Sequence, residues 1–189
     1  MAVSGILELI GDFDFATPSD KSRCLAGIIS PALKFGRLSE ADFPLDLCEA
    51  DQSQSGKGFR VNLITTIYDE IAEVITLSSE AKKGVGSIDE RISEALSSGR
   101  SFVVFDNLRG ELNSQLLESA IKGVGKRVGV RRAYSRTIQL KTDHVLWFGT
   151  SNNAHATIDL ANRSIITRIR KKPLNHKFRE FNGNTLLEH

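Results

Sequence analysis

The sequence predicts an α/β fold built on a mostly parallel central sheet, and three observations carry that expectation. Short apolar runs at Leu45–Glu49, Ser101–Phe105, Val145–Gly149 and Ser164–Arg170 alternate with stretches of helical periodicity. Such alternation arises when each return to a parallel strand is made through a helix. The first of these runs leads through a small-and-polar loop straight into an amphipathic stretch. Finally, 189 residues at 40% hydrophobic content suit one medium-sized domain with a substantial core.

The elements follow in order. Residues Thr17 to Phe35 read as a helix: Thr17 can cap it, Pro18 suits the first helical position and Asp20 falls three after the cap. Pro31 is expected to bend or split it. Leu45-Asp-Leu-Cys-Glu49 is a short strand. A long helical pattern then runs from Phe59 to about Leu77, with Leu63, Ile64, Ile67, Tyr68, Ile71, Val74 and Ile75 on one face. Asn62, Thr65, Thr66, Asp69, Glu70 and Glu73 occupy the other. Lys82 to Gly86 reads as a turn or loop. Ser87 with Glu90 forms a capping box opening a helix that Gly99 ends. Ser101–Phe105 is a buried strand, Asn113 to Ile121 a helix, and Lys126 to Lys141 a β-hairpin around Ala133 to Ser135. Val145–Gly149 and Ser164–Arg170 complete the strands. No internal repeat or low-complexity region is present.

Several classes are disfavoured. No apolar run approaches the roughly 20 residues that cross a bilayer, and the N-terminus lacks the basic start, long apolar stretch and cleavage pattern of a signal peptide. A cytoplasmic location is expected. Cys24 and Cys48 are too few for a disulfide framework and have no partners at metal-ligand spacing, so they read as buried thiols. A formal charge of +2 does not by itself imply nucleic-acid binding. Leu187-Glu188-His189 resembles the start of an affinity-tag junction, in a domain cut from a longer protein.

Four segments carry chemistry. The Walker A pattern G-x-x-x-x-G-K-[ST] works because glycine permits a tight turn, successive amides point at phosphate and the lysine reaches the outer phosphates. Asp51-Gln-Ser-Gln-Ser-Gly-Lys-Gly58 supplies its Gly-Lys core, with Asp51 at the first glycine position and Gly58 where a magnesium-touching hydroxyl usually stands. The phosphate-facing residues would be Ser53, Gln54, Ser55, Gly56, Lys57, Gly58 and Phe59; the alternative is a plain solvated loop. Phe102-Val-Val-Phe-Asp106 has the form of a Walker B strand, whose Asp106 can hold magnesium through water, or is an ordinary strand closed by an Asp-Asn turn. Asn107 follows where many ATPases place a water-activating glutamate; Glu111, Asp69 and Glu70 are loose candidates for that work. Thr150-Ser-Asn-Asn153 ends a buried strand, where ligands of parallel sheets bind. Asn152 there can orient water or touch the terminal phosphate, with Asn153 as the neighbouring choice. Arg163, in Asp159-Leu-Ala-Asn-Arg163, is either an arginine finger for a neighbouring subunit or a surface arginine.

Taken in order, these motifs resemble the AAA+ ATPase domain of phage and mobile-element primase-helicases, related in organisation to superfamily 3 helicases. Phe105-Asp-Asn107 resembles that group's Walker B ending, and Gly-Lys-Gly also occurs at its Walker A. Thr150-Ser-Asn-Asn153 resembles its Thr-Gly-Asn-Asn sensor, and Asp159-Leu-Ala-Asn-Arg163 its Asp-Leu-Ala-Arg-Arg. Asp14 to Asp20 and Ile28 to Leu33 resemble its helical lead-in. The resemblance implies a P-loop NTPase three-layer sandwich with a five-stranded sheet, Walker A and Walker B on adjacent central strands. It also implies ATP and Mg²⁺ as ligands, and a homo-oligomeric ring threading nucleic acid. The second strand is expected near Val74 to Leu77 or Val85, and no C-terminal lid is expected in the short stretch after Arg170. The division expected is a lead-in over 1–40, an ATPase core over 41–175 and a tail over 176–189.

Charge adds to this. Lys122, Lys126, Arg127, Arg131, Arg132, Arg136 and Lys141 fall within one segment that has no acidic residue. Five of them, Lys126, Arg127, Arg131, Arg132 and Arg136, are candidates for salt-sensitive, sequence-independent DNA contact, against the alternative of a solvated basic face. The leading expectation is an ATPase motor domain of a replicative helicase or primase-helicase acting on DNA. A hydrolysis-poor nucleotide-binding module and a non-ATPase DNA-binding domain stay open beside it.

Overall fold

The computed structural model describes residues 2–76, 87–109, 111–122, 127–131, 136–152, 155–156 and 158–177. The chain opens with α1 (Ala2–Leu9), β1 (Asp14–Phe15), α2 (Pro18–Phe35), β2 (Leu45–Ala50), α3 (Lys57–Ile67) and β3 (Glu73–Thr76). Next come α4 (Ile88–Ser98), β4 (Phe102–Leu108), β5 (Glu111–Leu112) and α5 (Gln115–Ile121). It closes with β6 (Arg127–Val130), β7 (Ile138–Lys141), β8 (Leu146–Ser151), β9 (His155–Ala156), α6 (Ile158–Ala161) and β10 (Ser164–Arg170).

The main sheet has the order β1-β10-β2-β8-β4-β3. All neighbours from β10 to β3 are parallel, and only β1 runs antiparallel, on the outer side of β10. The expected α/β fold with a mostly parallel sheet is therefore present. Two implied features are corrected: the sheet has six strands rather than five, β1 being the addition, and the loop-bearing strand β2 and the Asp106 strand β4 are not neighbours, because β8 lies between them. Strand order is set by how the crossovers pack, which no local pattern records.

Strand alternation divides the core between two faces. Val103, Phe105 and Trp147 pack with Ile92 and Leu96 of α4, Leu117 of α5 and Leu160 of α6. Phe102, Val104, Leu146 and Phe148 pack with Cys24 and Ile28 of α2 and Val61 and Ile64 of α3. Paired rings mark both faces: Phe102 stacks on Phe148 at 5.6 Å between centroids, and Phe105 on Trp147 at 6.0 Å. Helices on both sides of one sheet make three layers. Among the described residues no helix is long and apolar enough to cross a membrane.

The caps read from sequence are formed. Thr17 accepts from the Asp20 amide, Ser87 accepts from the Glu90 amide, and α4 ends at Gly99 with φ 75°. Pro31 does not split α2, which runs unbroken to Phe35. Next to the proline, the Tyr68 hydroxyl donates to Ile28 O at 2.6 Å and accepts from the Ala32 amide at 3.3 Å. A side-chain hydroxyl is thereby spliced into the helix ladder where the proline disturbs it.

The helix expected from Phe59 to Leu77 is corrected as well. α3 stops at Ile67, because Asp69 adopts φ 50°, its amide bonds Thr66 O at 3.1 Å, and the Glu70 amide bonds Thr65 O at 3.0 Å. That pair of bonds is a Schellman closure. Val74 and Ile75 then belong to β3, the second strand, at the first of the two places expected for it. Lys82 to Gly86, with Val85, lies outside the described residues.

β6 and β7 pair antiparallel, Arg127 opposite Lys141 and Val130 opposite Ile138, as the hairpin expectation required. Val128 and Val130 bury into the core, which fixes the face that Arg127 presents outward. The tip around Ala133 to Ser135 lies outside the described residues.

Candidate functional site

β2 ends at Ala50 and α3 starts at Lys57, so the intervening loop spans the C-terminal edge of the parallel sheet and the N-terminus of a helix. Gly56 makes the turn at φ 97°, a conformation disfavoured for residues with a Cβ, and a Cβ there would stand 3.1 Å from the Phe13 ring. No side chain caps α3; its first ladder bond is Arg60 N to Gly56 O. The amides of Lys57, Gly58 and Phe59 thus have no acceptor within the helix, which leaves a positive backbone edge. Ser53, Gln54, Gly58 and Phe59 are exposed around it, while Ser55 and Gly56 are half-buried.

Lys57 is buried beneath this loop. Its Nζ donates to Asn152 Oδ1 at 2.7 Å, to Gln52 O at 3.2 Å and to Ser55 Oγ at 3.3 Å. Desolvation lowers its pKa from 10.5, against the opposing charges of Asp51 and Asp106. Asp51, the departure at the first glycine position, accepts from the Lys171 amide just past β10 at 3.2 Å, a contact that ties its carboxylate to β10.

Asp106 sits on an irregularity of β4. Phe105 pairs with Gly149 and Leu108 with Ser151, so Asp106 and Asn107 together oppose the single residue Thr150. This is a β-bulge. Thr150 Oγ1 donates to Asp106 Oδ1 at 2.8 Å and accepts from the Asn107 amide at 2.7 Å. Asn107 has φ 54°, a left-handed conformation in which asparagine is enriched. Asp106 itself is exposed.

The remaining candidates separate by position. Arg163 lies at the opposite edge of the sheet: its carbonyl accepts from the Leu45 amide at the start of β2, about 20 Å of strand from the loop. Its guanidinium donates to Glu118 O at 3.0 Å and lies 3.6 Å from the Glu118 carboxylate. Asp69 and Glu70 follow α3 at its far end, roughly 18 Å from Lys57, and are not part of this constellation. Glu111 begins β5, which pairs with β9; these strands follow the C-terminal ends of β4 and β8, bringing its backbone to the same edge as Asp106 and Asn152. Arg127, Arg131 and Arg136, with Lys122 and Lys141, are exposed along the hairpin segment. Lys126, Arg132 and Asn153 lie outside the described residues.

Two features were not singled out from the sequence. One is Thr150, whose signal is alternation: it falls two residues after Phe148 and so shares its face. The other lies under the loop. Arg60, wholly buried on the first turn of α3, donates to Asp46 of β2 at 2.7 Å and to Cys24 Sγ at 3.2 Å. Gly27 leaves room for the pair, since a Cβ there would collide with both charged groups. Burial disfavours the guanidinium charge, but Asp46 outweighs it and the Arg60 pKa is raised. The signal available was Asp46, an acid flanked by Leu45 and Leu47 in a buried strand. Cys24 and Cys48 are free, buried thiols as expected, and burial pushes Cys48 up to about 12.

No protein-family model matches the chain, and no curated protein matches it. Solved structures with some likeness include the apo C-terminal region of NrS-1, at TM-score 0.48 and 13% identity over 94% of this chain and 43% of that one. Another structure of that region gives TM-score 0.47 and 14% identity over 84% and 40%. JCV helicase with a small molecule bound gives TM-score 0.45 and 13% identity over 83% and 47%. The chain thus spans less than half the length of each. At this level of likeness neither fold nor function follows from the neighbours, and both rest on the residues of this chain.

Proposed function

We propose that the chain binds a nucleoside triphosphate, ATP, with Mg²⁺ at the Asp51–Gly58 loop, as the P-loop, AAA+-like ATPase domain of a helicase or primase-helicase of phage or mobile-element type. The observation that carries this is Lys57 at the N-terminus of α3, bonded at 2.7 Å to Asn152 just past β8, the strand that also holds Asp106 through Thr150. Lysine, carboxylate and amide groups from three strand ends meet at the edge where parallel sheets bind ligands.

The chain's residues divide the work. The uncapped amides of Lys57, Gly58 and Phe59 receive phosphate oxygens, aided by the helix dipole. Lys57 exchanges Asn152 for the outer phosphates, which offer it stronger, charge-assisted bonds. Asp106 fits a magnesium site: it is exposed, and its Oδ2 makes no hydrogen bond among the described residues. Mg²⁺ characteristically takes one or two protein carboxylates, with phosphate and water completing its shell. The ion, when bound, neutralises phosphate charge. Asn152, released from Lys57, orients a water or the terminal phosphate.

Asn107 cannot act as a base, and its left-handed backbone would strain a glutamate in its place. This favours, as a second reading, a module that binds nucleotide and hydrolyses it slowly. Glu111 is the carboxylate whose backbone reaches the right edge. The exposed Arg127, Arg131 and Arg136, with Lys126 and Arg132 of the same segment, are the proposed DNA contacts. A ring of copies is the proposed assembly, in which Arg163 reaches a neighbour's nucleotide only by exchanging its Glu118 partner.

The test is calorimetric titration with ATP and Mg²⁺, followed by turnover with and without single-stranded DNA. Lys57→Ala is expected to weaken binding at least ~10-fold, the equivalent of one charged hydrogen bond. Asp106→Ala is expected to remove the magnesium dependence. Unchanged binding in both variants refutes the site, and binding without turnover selects the second reading.

A further inference from the structure

We infer that Thr150 is the positioning residue that aims the Asp106 carboxylate at the metal, through the bulge it clamps. This rests on the nucleotide-binding reading above and adds to it a residue that never touches the ligand. Four observations converge on it. Thr150 is 3% exposed, on a strand whose six residues are all buried, so its hydroxyl has no access to solvent partners. That hydroxyl has one hydrogen to give and gives it to Asp106 Oδ1. It accepts the Asn107 amide in return, which holds the residue after the carboxylate in its left-handed turn. Asp106 and Asn107 are the two residues that oppose Thr150 alone.

The chemistry follows from these bonds. β4 keeps its alternation through Phe102 and Val104 to Asp106, which pairs in register with Thr76 and bonds Thr150 on the face that α3 covers. The bulge inserts its extra residue just after Asp106, so that Leu108 returns to the face of Phe105 and Asp106 stands at the end of the regular strand, and bulges are common next to active sites. It is costly alone, since it breaks the ladder with β8 and sets a non-glycine residue at positive φ. Thr150 compensates by satisfying the amide that the broken ladder frees. One carboxylate oxygen is thereby fixed by a short bond, and the second is left for a cation. Valine has the same shape without the hydroxyl, and leaves the Asn107 amide and Asp106 Oδ1 both unpartnered.

The experiment measures ATP affinity of the full chain by calorimetry in excess magnesium and in EDTA, for the wild type, Thr150→Val and Thr150→Ser. The expected result is that Thr150→Val loses at least ~10-fold of the magnesium-dependent affinity, as loss of a charge-assisted bond predicts. Its affinity in EDTA stays within about twofold of wild type, and Thr150→Ser restores the magnesium effect. A purely structural role would lower both affinities together or neither. If Thr150→Val does not fold, Thr150→Cys, with its weaker donor, is read instead and shows the same selective loss. A magnesium effect equal to wild type in the folded variant overturns the inference and leaves the binding site standing. Absence of any nucleotide binding by the folded wild type overturns the site and the inference together.

Discussion

Replacing Arg60 by methionine tests what holds the lysine-bearing helix to its strand. Arg60 is wholly buried, and the Asp46 side chain is 10% exposed, so their 2.7 Å contact is a buried ion pair. Among the described residues, Asp46 Oδ1 and Arg60 Nη1 have no hydrogen-bond partner. Methionine keeps most of the apolar stem and removes the charge, leaving a carboxylate stranded under α3. Breaking a buried pair from one side costs about 3–5 kcal/mol. For a chain of this size each kcal/mol moves the midpoint by roughly 2–4 °C, so Tm should fall by about 6–20 °C. Thermal and urea unfolding followed by circular dichroism measure it. The companion is Asp46→Leu combined with Arg60→Met, which removes both charges. Stability should return to within ~1 kcal/mol of wild type, because apolar replacements of buried pairs are often neutral or better. A single variant that loses under ~1 kcal/mol, or a double variant no more stable than the single, refutes the view that the uncompensated charge is what matters.

Two further outcomes follow from titratable groups. Asp20 is held below its ordinary 3.8: burial works to raise it, but the Thr17 hydroxyl, the Arg168 amide and Arg23 together outweigh burial. A depressed carboxylate contributes stability that is present above pH 3.8 and lost as pH falls through the folded value. Unfolding of wild type between about pH 5 and about pH 2 should therefore lose more stability than that of Asp20→Asn; equal losses would remove Asp20 from the account. Lys57 is depressed below 10.5 by burial, and bound phosphate favours its charge. The complex then holds more protons than the free protein, so ATP binding takes up protons in the alkaline range below 10.5 and weakens as pH rises there. Calorimetry in two buffers of different ionisation enthalpy reads this directly, and Lys57→Ala should abolish it.

Much of the architecture is written in local pattern, and the parts that are not share a cause. Thr17, Ser87 and Gly99 declare helix ends because capping is a contact between residues three or four apart. The true end of α3 is silent: Asp69 supplies the left-handed residue where glycine would have signalled it. The apolar spacing meanwhile runs on through Ile71 and Val74, which the fold leaves 68% and 57% exposed. Periodicity reports what a helix would bury, not whether the chain turns. Around the site, Lys57 is legible from the Gly-Lys pair that opens α3, and Asp106 and Asn152 from their places just past apolar runs. Their mutual geometry is not, nor are the Arg60–Asp46 and Arg163–Glu118 contacts, the latter linking residues 45 apart in sequence. Such pairings exist only once the sheet order exists.

That order has an electrostatic consequence. Neighbouring strands lie about 4.8 Å apart, so a lysine and an aspartate issuing from adjacent strand ends would be free to neutralise one another. With β8 interposed, β2 and β4 lie two spacings, about 9.6 Å, apart, and Lys57, which follows β2, and Asp106 of β4 form no ion pair. Each instead leans on a neutral group of the strand between them, an amide for the cation and a hydroxyl for the anion. The intervening strand acts as an insulator: it keeps opposite charges from quenching, so that both remain unspent for a guest that carries phosphate and metal together.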